Sequence, residues 1–401
     1  MNISLVLLII IGFLLLNIIS HYKKKLILPE AVWVLVFGAI YGCIYQTTSW
    51  GLPDIVLSSE IILYWFVPIL IFANARNMSF KRFKKVMIPA SLLASVGLIL
   101  SATIIAAILY FTFQISFLEG LLFGSLISAT DPLAVTAMLR KSKGISRWKR
   151  MLVEWESILN DGIAVTMFTV LTAIIIAGSN IQFVQLTKDV FWSIAGAAFI
   201  GFVLARIIRM ILKHWDETNP YLKVNMWIVI AYGWFLLADS LHASGIIAVF
   251  VGALTYAYHP RKDTKINLEI RTSIWEYLEF LADATLFFIL WANFAIHAAH
   301  TLTPAIIACA IVLLLFARWA SLTLLRRFIK IDGEVLKKQD ISFLNFAGSR
   351  GAISIALILM LPLDYIHREF FLSLAYVMVI LSILIYPFIV SKLLSHNKKA
   401  S

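Results

Sequence analysis

Thirteen apolar segments follow one another along this 401-residue chain, and most of them approach the roughly 20 residues that a helix needs to cross a bilayer. We number them span 1 to span 13, at residues 3–20, 26–45, 55–75, 86–111, 117–139, 150–177, 183–205, 224–239, 243–258, 275–296, 303–325, 341–362 and 369–391. Because backbone polar groups inside a membrane must be satisfied within the chain, these segments favour helices. Only 14% of the residues are charged, against about 25% in soluble domains. The sequence therefore predicts an all-α polytopic membrane protein with about 13 transmembrane helices.

The positions of the basic residues predict the orientation of these spans. With the N-terminus outside, the inner loops and the C-terminal tail hold 30 of the 34 Lys and Arg residues. The outer loops hold only Lys188 and Arg368, and the other two, Arg318 and Arg350, lie inside spans. This distribution follows the positive-inside rule and predicts a cytoplasmic C-terminus in a cell (inner) membrane. It also accounts for the net charge of +12 without a nucleic-acid partner.

The number of spans fits two six-span halves of opposite orientation joined by a central span, which is the inverted-repeat plan of many transporters. Under this plan span 5 corresponds to span 12, and both are interrupted, by Thr130-Asp131-Pro132 and by Gly348-Ser349-Arg350-Gly351. Interrupted spans at corresponding positions indicate a transport site, although each alone is also explained by a proline kink or packing glycines. The loops are short, so we expect a single membrane domain over residues 1–401 and no soluble regulatory domain.

Two acidic residues, Asp131 and Asp161, stand inside these apolar spans. An ionised carboxylate there costs at least about 2.5–3.5 kcal/mol, so such a residue indicates a functional site. Asp161 follows Arg150 by eleven residues, or about 16 Å of helix, which reaches the middle of a hydrocarbon core about 30 Å thick. Arg350 follows Asp340 by ten residues and reaches a similar depth. A carboxylate and a guanidinium therefore arrive at one level from the two halves of the chain.

Residues four apart share one face of a helix, which pairs Ser157 with Asp161 and Glu156 with Asn160 in span 6. We expect Ser157 and Asp161 to face the ion path. Glu156 and Asn160 are then expected to face Arg350, with Glu156 and Arg350 forming a structural ion pair, because an unpaired arginine at this depth is too costly. Arg318 lies closer to a span end and is expected to snorkel to the inner surface.

Oxygen atoms near Asp161 provide the hard ligands that a small monovalent cation requires. We expect them to be the Asp161 carboxylate, the hydroxyls of Ser157 and Thr130, and backbone carbonyls that the interruption of span 5 leaves free. If Asp161 also takes a proton, cation and proton compete for one site, and this competition is sufficient for antiport. Asp131 is expected to cap the N-terminus of a half-helix and to offset its dipole, as a structural but essential residue.

Three sequence runs resemble the monovalent cation:proton antiporter-1 family, the NhaP and NHE-type exchangers. They are SATDPLAV in span 5, ESILNDGIAV in span 6 and GSRGAISIALIL in span 12. SGIIAV in span 9 and WEYLEFL in span 10 are similar to further stretches of that family, so the resemblance covers nearly the whole chain. It implies an antiporter that exchanges Na+ (or Li+) for H+, with no cofactor other than the transported ions and no enzymatic activity.

The resemblance also implies an assembly and a mechanism. It implies a homodimer in the membrane lipid, with a dimerisation part around spans 1–2 and 7–9. A mobile core around spans 3–6 and 10–13 would be built on the crossed, discontinuous spans 5 and 12 and would move by elevator-type alternating access. The Asn160-Asp161 pair is similar to the electroneutral branch of the family, which implies one cation per proton.

The chain departs from the family pattern at two places. Span 3 has Ala73 where the family has an acid, although the neighbouring Asn74 is a possible substitute, and this makes K+/H+ exchange the alternative. Span 10 has Asp283 where the family usually has Asn, and with Glu276 and Glu279 it lines one helix face. That face is either an acidic funnel for cations or an ordinary solvated helix end. The more remote alternatives are a cation channel, which would need repeated pore-lining elements, and a transport-inactive membrane sensor.

Overall fold

The computed structural model describes residues 30–48, 59–76, 80–131, 146–177, 188–212, 220–257, 265–298, 302–331 and 334–399. Span 1 and the part of span 5 that begins at Pro132 lie outside the described residues. Every predicted span from 2 to 13 contains described helix. In the described part of the chain the fold is all-α except for one short hairpin whose two strands have two residues each. The predicted fold class is confirmed.

The helices follow the predicted spans closely. Spans 2 to 6 contain α1 (Glu30–Thr47), π1 (Ile61–Phe66), α2 (Val67–Arg76), α3 (Phe80–Leu92), π2 (Leu93–Gly97), α4 (Leu98–Phe113), α5 (Phe117–Ser128) and α6 (Arg147–Ala177). Spans 7 to 10 contain π3 (Trp192–Gly196), α7 (Ala197–Leu212), α8 (Pro220–Ser240), α9 (Gly245–Ala257), α10 (Lys265–Asn293) and π4 (Phe294–Ala298). Spans 11 to 13 contain α11 (Pro304–Leu325), α12 (Lys338–Ala347), α13 (Ala352–Leu359) and α14 (Arg368–Lys399).

Seven helical stretches of the described chain are long and apolar enough to cross a membrane. They are Lys85–Phe113, Trp148–Ile175, Lys188–Ile211, Tyr221–Ser240, Thr272–Ile296, Pro304–Leu325 and Arg368–Leu394. Helix ends are closed by local chemistry. The Ser116 hydroxyl accepts a 3.3 Å bond from the Glu119 amide at the start of α5, and Thr303 caps α11 just ahead of Pro304.

Helices α4 and α5 form an antiparallel pair whose backbones approach closely. A Cβ atom on Gly124 would lie 2.5 Å from the Ala102 carbonyl oxygen, and one on Gly120 would lie 2.9 Å from Ala106 Cα. The two helices therefore pack through small residues on both sides, as membrane helices commonly do. This pairing fixes the position of the C-terminal end of α5, where span 5 is interrupted.

The helices pack in two groups. Helices α3, α4, α5, α6, α11, α12, α13 and α14 pack mainly on one another, while α9 packs on α2, α7 and α8, and α10 packs on α1. Gly162 in α6 lies against Ile247 in α9, where an added Cβ would come within 2.5 Å of the isoleucine, so α6 borders both groups. Spans 3 and 10 thus pack mostly with spans 2 and 7–9, and the predicted division into core and dimerisation parts stays a prediction.

A short β-hairpin, which the sequence pattern did not predict, lies in the loop between α11 and α12. Its strands β1 (Lys330–Ile331) and β2 (Glu334–Val335) pair antiparallel, with Lys330 opposite Val335. The side chain of Ile331 is buried, and β1 packs against α3. The hairpin anchors the loop that leads into the interrupted span 12.

Candidate functional site

The two interruptions lie against each other and pair as a single antiparallel bridge. The Asp131 amide donates to the Ser349 carbonyl at 2.7 Å, and the Ser349 hydroxyl donates back to the Asp131 carbonyl. Span 5 leaves its helix at Ser128, and span 12 is extended between α12 and α13. Because neither segment is helical, each needs an outside partner for its backbone, and the other segment supplies one. The interruptions of spans 5 and 12 therefore meet, as the predicted crossing requires, and span 12 is discontinuous. The second half of span 5 lies outside the described residues.

Opposite charges lie at the two half-helix ends that meet here. The Arg350 guanidinium donates to the carbonyls of Ser128 and Ala129, at 2.9 and 3.2 Å, where α5 ends. The Asp131 carboxylate lies at Gly351, just ahead of α13, close enough that an added Cβ would be 2.8 Å from Oδ2. A cation at a helix C-terminus and an anion at an N-terminus both oppose the local dipole. The crossing is thus held by electrostatics as well as by the bridge.

Helix α6 forms hydrogen bonds with Thr130 in the interruption of span 5. The Ser157 hydroxyl donates to the Thr130 carbonyl at 2.6 Å, and the Asn160 amide donates to the Thr130 hydroxyl at 2.8 Å. The Thr130 backbone amide in turn donates to the side-chain oxygen Oδ1 of Asn160 at 3.4 Å. All three residues are buried, and Ser157 and Asn160 are three apart, so they share one face of α6. The structure therefore brings together Thr130, Ser157 and Asn160.

Asp161 is the next residue of α6 and is partly exposed, unlike its buried neighbour Asn160. Its carboxylate lies close enough to that of Asp131 for the two to repel each other. Two carboxylates that repel each other favour the binding of a positive charge, whether a metal ion or a proton. In the described residues no group of three or more His, Cys, Asp or Glu side chains could hold a metal ion.

The expected Glu156–Arg350 ion pair is wrong in the structure, because Glu156 pairs with Arg318. The Arg318 guanidinium contacts both Glu156 carboxylate oxygens, at 2.7 and 3.0 Å, and donates from Nε to the Leu344 carbonyl at 3.2 Å. The Arg350 guanidinium instead donates to the Ser128 carbonyl at the end of α5. Asn160, which was expected to face Arg350, forms its hydrogen bond with Thr130.

The expectation that Arg318 snorkels to the inner surface is also wrong, since its side chain is only 7% exposed. Because the two carboxylate oxygens of Glu156 already contact the guanidinium, Arg318 does not need water to compensate its charge. A comparison of depths along the helices would have favoured this pair. Glu156 follows Arg150 by six residues, about 9 Å of helix, and Arg318 precedes the end of α11 at Leu325 by seven, about 10 Å. Arg350 lies deeper, at about 15 Å, so matching depths favours Arg318.

Ala73 in span 3 and Asp283 in span 10, the two departures from the family pattern, differ in what they contribute near the site. Ala73 is fully buried in α2 and provides no ligand, and the side chain of Asn74 lies outside the described residues. Asp283 is partly buried in α10, and its carboxylate interacts electrostatically with those of Asp131 and Glu279. In addition to Asp131 and Asp161, a further acid of this neighbourhood therefore comes from α10 and not from span 3.

Comparison with known proteins identifies the family to which this arrangement of helices and charges belongs. A profile described as sodium/hydrogen exchanger, transmembrane, matches residues 7–396. This chain belongs to the sodium/hydrogen exchanger family. The exchanger is 30% identical over 393 residues to the Na(+)/H(+) antiporter NhaP of Pseudomonas aeruginosa, with 89% of this chain and 88% of that protein covered. It is 27% identical over 370 residues to the Na(+)/H(+) antiporter NhaH of Halobacillus aidingensis, with 89% of each covered.

The fold of the exchanger is also that of a solved structure. The sodium proton antiporter MjNhaP1 from Methanocaldococcus jannaschii superposes with a TM-score of 0.78 at 19% sequence identity. The match covers 98% of this chain and 99% of that one. At this identity the likeness concerns the fold alone, which is that of an all-α polytopic membrane protein.

Several polar residues that support the site of the exchanger carry no sequence signal of their own. Ser382 accepts a 2.9 Å bond from the Arg350 amide, and Ser354 donates to the Leu126 carbonyl at 2.8 Å. Together with Ser349 they bind the interrupted backbones that a continuous helix would have satisfied internally. Serines are common in membrane helices, so only the known crossing of spans 5 and 12 singles these out.

Proposed function

We propose that this exchanger moves Na+ (or Li+) in one direction and H+ in the other, with Asp161 binding either ion. The observation that carries the proposal is the position of Asp161 one residue beyond the Thr130–Asn160 contact, where its carboxylate interacts electrostatically with that of Asp131. There, a cation replaces its water shell with oxygens of Asp161, Ser157 and Thr130. A proton on Asp161 removes the charge that attracts the cation, so only one of the two is carried at a time.

An electroneutral exchange of one cation per proton fits the chemistry of Asn160. Its amide is committed to the Thr130 backbone and hydroxyl, and an amide carries no charge to titrate. Asp161 is then the single residue at this pair of positions that alternates between cation and proton. Asp131 is assigned a different role, because it neutralises the N-terminus of α13.

The packing of the helices supports an elevator-type movement. In this proposal the core consists of spans 4–6 and 11–13, which pack on one another, and it slides against spans 2, 3 and 7–10. Asp161 lies at that boundary, next to Gly162 and its contact with Ile247. We further propose that the second group of helices forms the dimer interface, and that the chain lies in a cell membrane with its C-terminus inside, as its basic loops indicate.

A disulfide across the boundary tests the movement. The hydroxyl oxygens of Thr166 in α6 and Ser193 in π3 are 3.1 Å apart, so a Thr166→Cys, Ser193→Cys pair is placed to cross-link. In a background in which Cys43 and Cys309 are replaced by serine, oxidation is expected to stop exchange and a reductant to restore it. Each single cysteine variant is the control. A cross-linked protein that exchanges at the normal rate would exclude sliding at this boundary.

The exchange reaction itself is tested in everted vesicles that have been acidified, by adding NaCl, LiCl or KCl separately and measuring proton release. Wild type is expected to respond to Na+ and Li+, and Asp161→Asn to respond to neither. The matched control is Asp364→Asn, which removes an exposed carboxylate from the loop between α13 and α14. Unchanged exchange in Asp161→Asn would rule out the mechanism.

K+/H+ exchange is the alternative that a specific observation favours. Ala73 removes a carboxylate from span 3, and fewer charged ligands select less strongly for the smaller, more strongly hydrated Na+. A response to KCl alone in the same vesicles would assign K+ as the transported ion and would leave the role of Asp161 unaltered. Replacement of Ala73 by Glu would then be expected to restore a response to Na+.

A further inference from the structure

A small cavity lies between π2, α4, α5, α6 and α11, on the side of the Glu156–Arg318 pair that faces α4. It has a volume of about 10 Å3. Its polar lining comes from Ser101, Ser128, Glu156, Asn160, Arg318 and Ser321. We propose that this serine cavity is a binding site for one water molecule, held by the Ser128 hydroxyl, and that the water joins the interruption of span 5 to the buried ion pair.

The Ser128 hydroxyl requires a partner that the described side chains do not supply. The residue is 3% exposed, and its oxygen has no hydrogen bond within the described part of the chain. One turn earlier on the same helix, the equally buried Ser125 hydroxyl donates to the Leu122 carbonyl at 2.8 Å. The Ser128 hydroxyl therefore differs from that of Ser125, which forms a hydrogen bond within its own helix. A buried hydroxyl without a hydrogen bond is unfavourable, and a polar cavity beside it points to water.

The size and chemistry of the cavity match one water molecule. A water needs roughly 10–15 Å3 and two to four polar partners. The cavity is at the lower end of that range, which excludes any larger ligand. Ser101 donates to Ser321 at 2.9 Å and keeps lone pairs for a donor, and each Glu156 oxygen accepts more than one bond. A water is able both to donate to these oxygens and to accept from Ser128.

A dehydrated cation would also fit by size, but the charges oppose it. The cavity has one carboxylate, Glu156, and both of its oxygens already contact the Arg318 guanidinium. The positive group lines the same cavity, so the site provides no net negative charge. A neutral, bifunctional ligand is favoured there, whereas the partly exposed Asp161 remains available to the cation.

The water would couple two parts that the protein otherwise holds by separate bonds. Thr130 is bound to α6 by Ser157 and Asn160, and Arg318 binds Glu156 one turn away. Ser128 is the last residue of α5 before the interruption. A water that contacts Ser128 and the ion pair ties this helix end to α6 and α11 at the level where the backbone has no helical partner.

The first test is the sign of a change in melting temperature. Ser128→Ala is expected to lower Tm of the purified protein by roughly 2 °C, since it removes one ligand of a bound water. Ser125→Ala is the matched control, because it deletes an equally buried hydroxyl from the same helix and leaves the cavity unchanged. If Ser128→Ala melts at or above the wild-type temperature, the hydroxyl is a plain unsatisfied group and the proposal is wrong.

A double-mutant cycle and a density map complete the test. Ser101→Ala and Ser128→Ala are expected to lower Tm together by less than the sum of the single changes, because either one releases the same water. Additive changes would contradict a shared ligand. A map that resolves ordered water should show one peak within hydrogen-bonding distance of Ser128 Oγ. A peak that appears only with added NaCl would make the site a cation site, and an empty cavity would overturn the proposal.

Discussion

Two ion pairs of helix α6, Glu156–Arg318 and Lys149–Asp340, differ in burial. Glu156 meets Arg318 with side chains that are 2% and 7% exposed, and Lys149 meets Asp340 at 2.5 Å with side chains that are 20% and 9% exposed. Both pairs join α6 to the second half of the chain. The first lies among the buried helices, and the second lies at the start of α6 and of α12.

The difference in burial changes what each pair does. If Glu156 is lost, Arg318 keeps only its bond to the Leu344 carbonyl and remains a buried charge. If Lys149 is lost, Asp340 still accepts the Lys337 amide at 2.9 Å at the start of α12. Breaking a buried pair is therefore costly for the partner left behind, whereas an outer pair contributes little. The comparison predicts a graded series of stabilities.

The largest effect is expected for Glu156→Ala. It leaves the Arg318 charge uncompensated, which costs about 3–5 kcal/mol in a buried pair, so both the yield of folded protein and Tm should fall steeply. Arg318→Ala should do the same by stranding Glu156. Size-exclusion profiles and thermal unfolding in detergent measure both. Normal yield and Tm for either variant would show that the pair is dispensable for folding.

Asp340→Ala is expected to have the next largest effect. It removes both the contact with Lys149 and the bond that caps α12, and the loss of a helix cap alone costs about 0.5–2 kcal/mol. Thermal unfolding of this variant should fall between Glu156→Ala and wild type. Asp340→Asn is the control, because an amide oxygen still accepts the Lys337 amide while the charge is gone.

Lys149→Met is expected to cost less than Asp340→Ala. The methionine keeps contacts with the Trp148 and Phe343 rings, over which the ammonium lies at 5.4 and 5.8 Å, so only the charge interaction is lost. At this partly exposed position that is worth about 0.2–1 kcal/mol. Raising the salt concentration should narrow the gap from wild type. A fall in Tm as large as that of Glu156→Ala would mean that burial does not distinguish the two pairs.

The smallest effect is expected for Glu334→Gln, which breaks an exposed contact with Lys337. The two charges are 3.7 Å apart on side chains that are 73% and 78% exposed, and such pairs contribute below about 0.5 kcal/mol. Thermal unfolding should not distinguish this variant from wild type. A clear loss of stability would indicate that the β-hairpin has a structural role beyond connecting α11 and α12.

Local patterns in the sequence predicted a large part of the architecture. Every predicted span from 2 to 13 contains helix, because hydrophobic length is a property of neighbouring residues. The interruptions of spans 5 and 12 were visible for the same reason, and the symmetry of the two halves predicted that they correspond, while their crossing was implied by the family resemblance. The hairpin at Lys330 was not visible, since strands of two residues carry no periodic pattern.

The partners of the buried charges were predictable only in part. The sequence identified Glu156, Arg350 and Asp161 as costly groups that need compensation. It could not assign Glu156 to Arg318, because that requires knowing which helix faces α6 and how far each guanidinium extends. Proximity in depth narrowed the choice, and the packing of α11 beside α4 decided it.

The sequence alone determined that this chain is a multi-span membrane protein with charged residues at an interrupted site, because hydropathy and charge are read residue by residue. Only the tertiary structure decided which group neutralises which. The Arg350 guanidinium donates to the Ser128 carbonyl at the end of α5, Arg318 pairs with Glu156, and the Asp161 carboxylate interacts electrostatically with that of Asp131. The reason is physical, since a buried charge is stabilised by whichever partner packing brings within a few ångströms, and packing joins residues far apart in sequence.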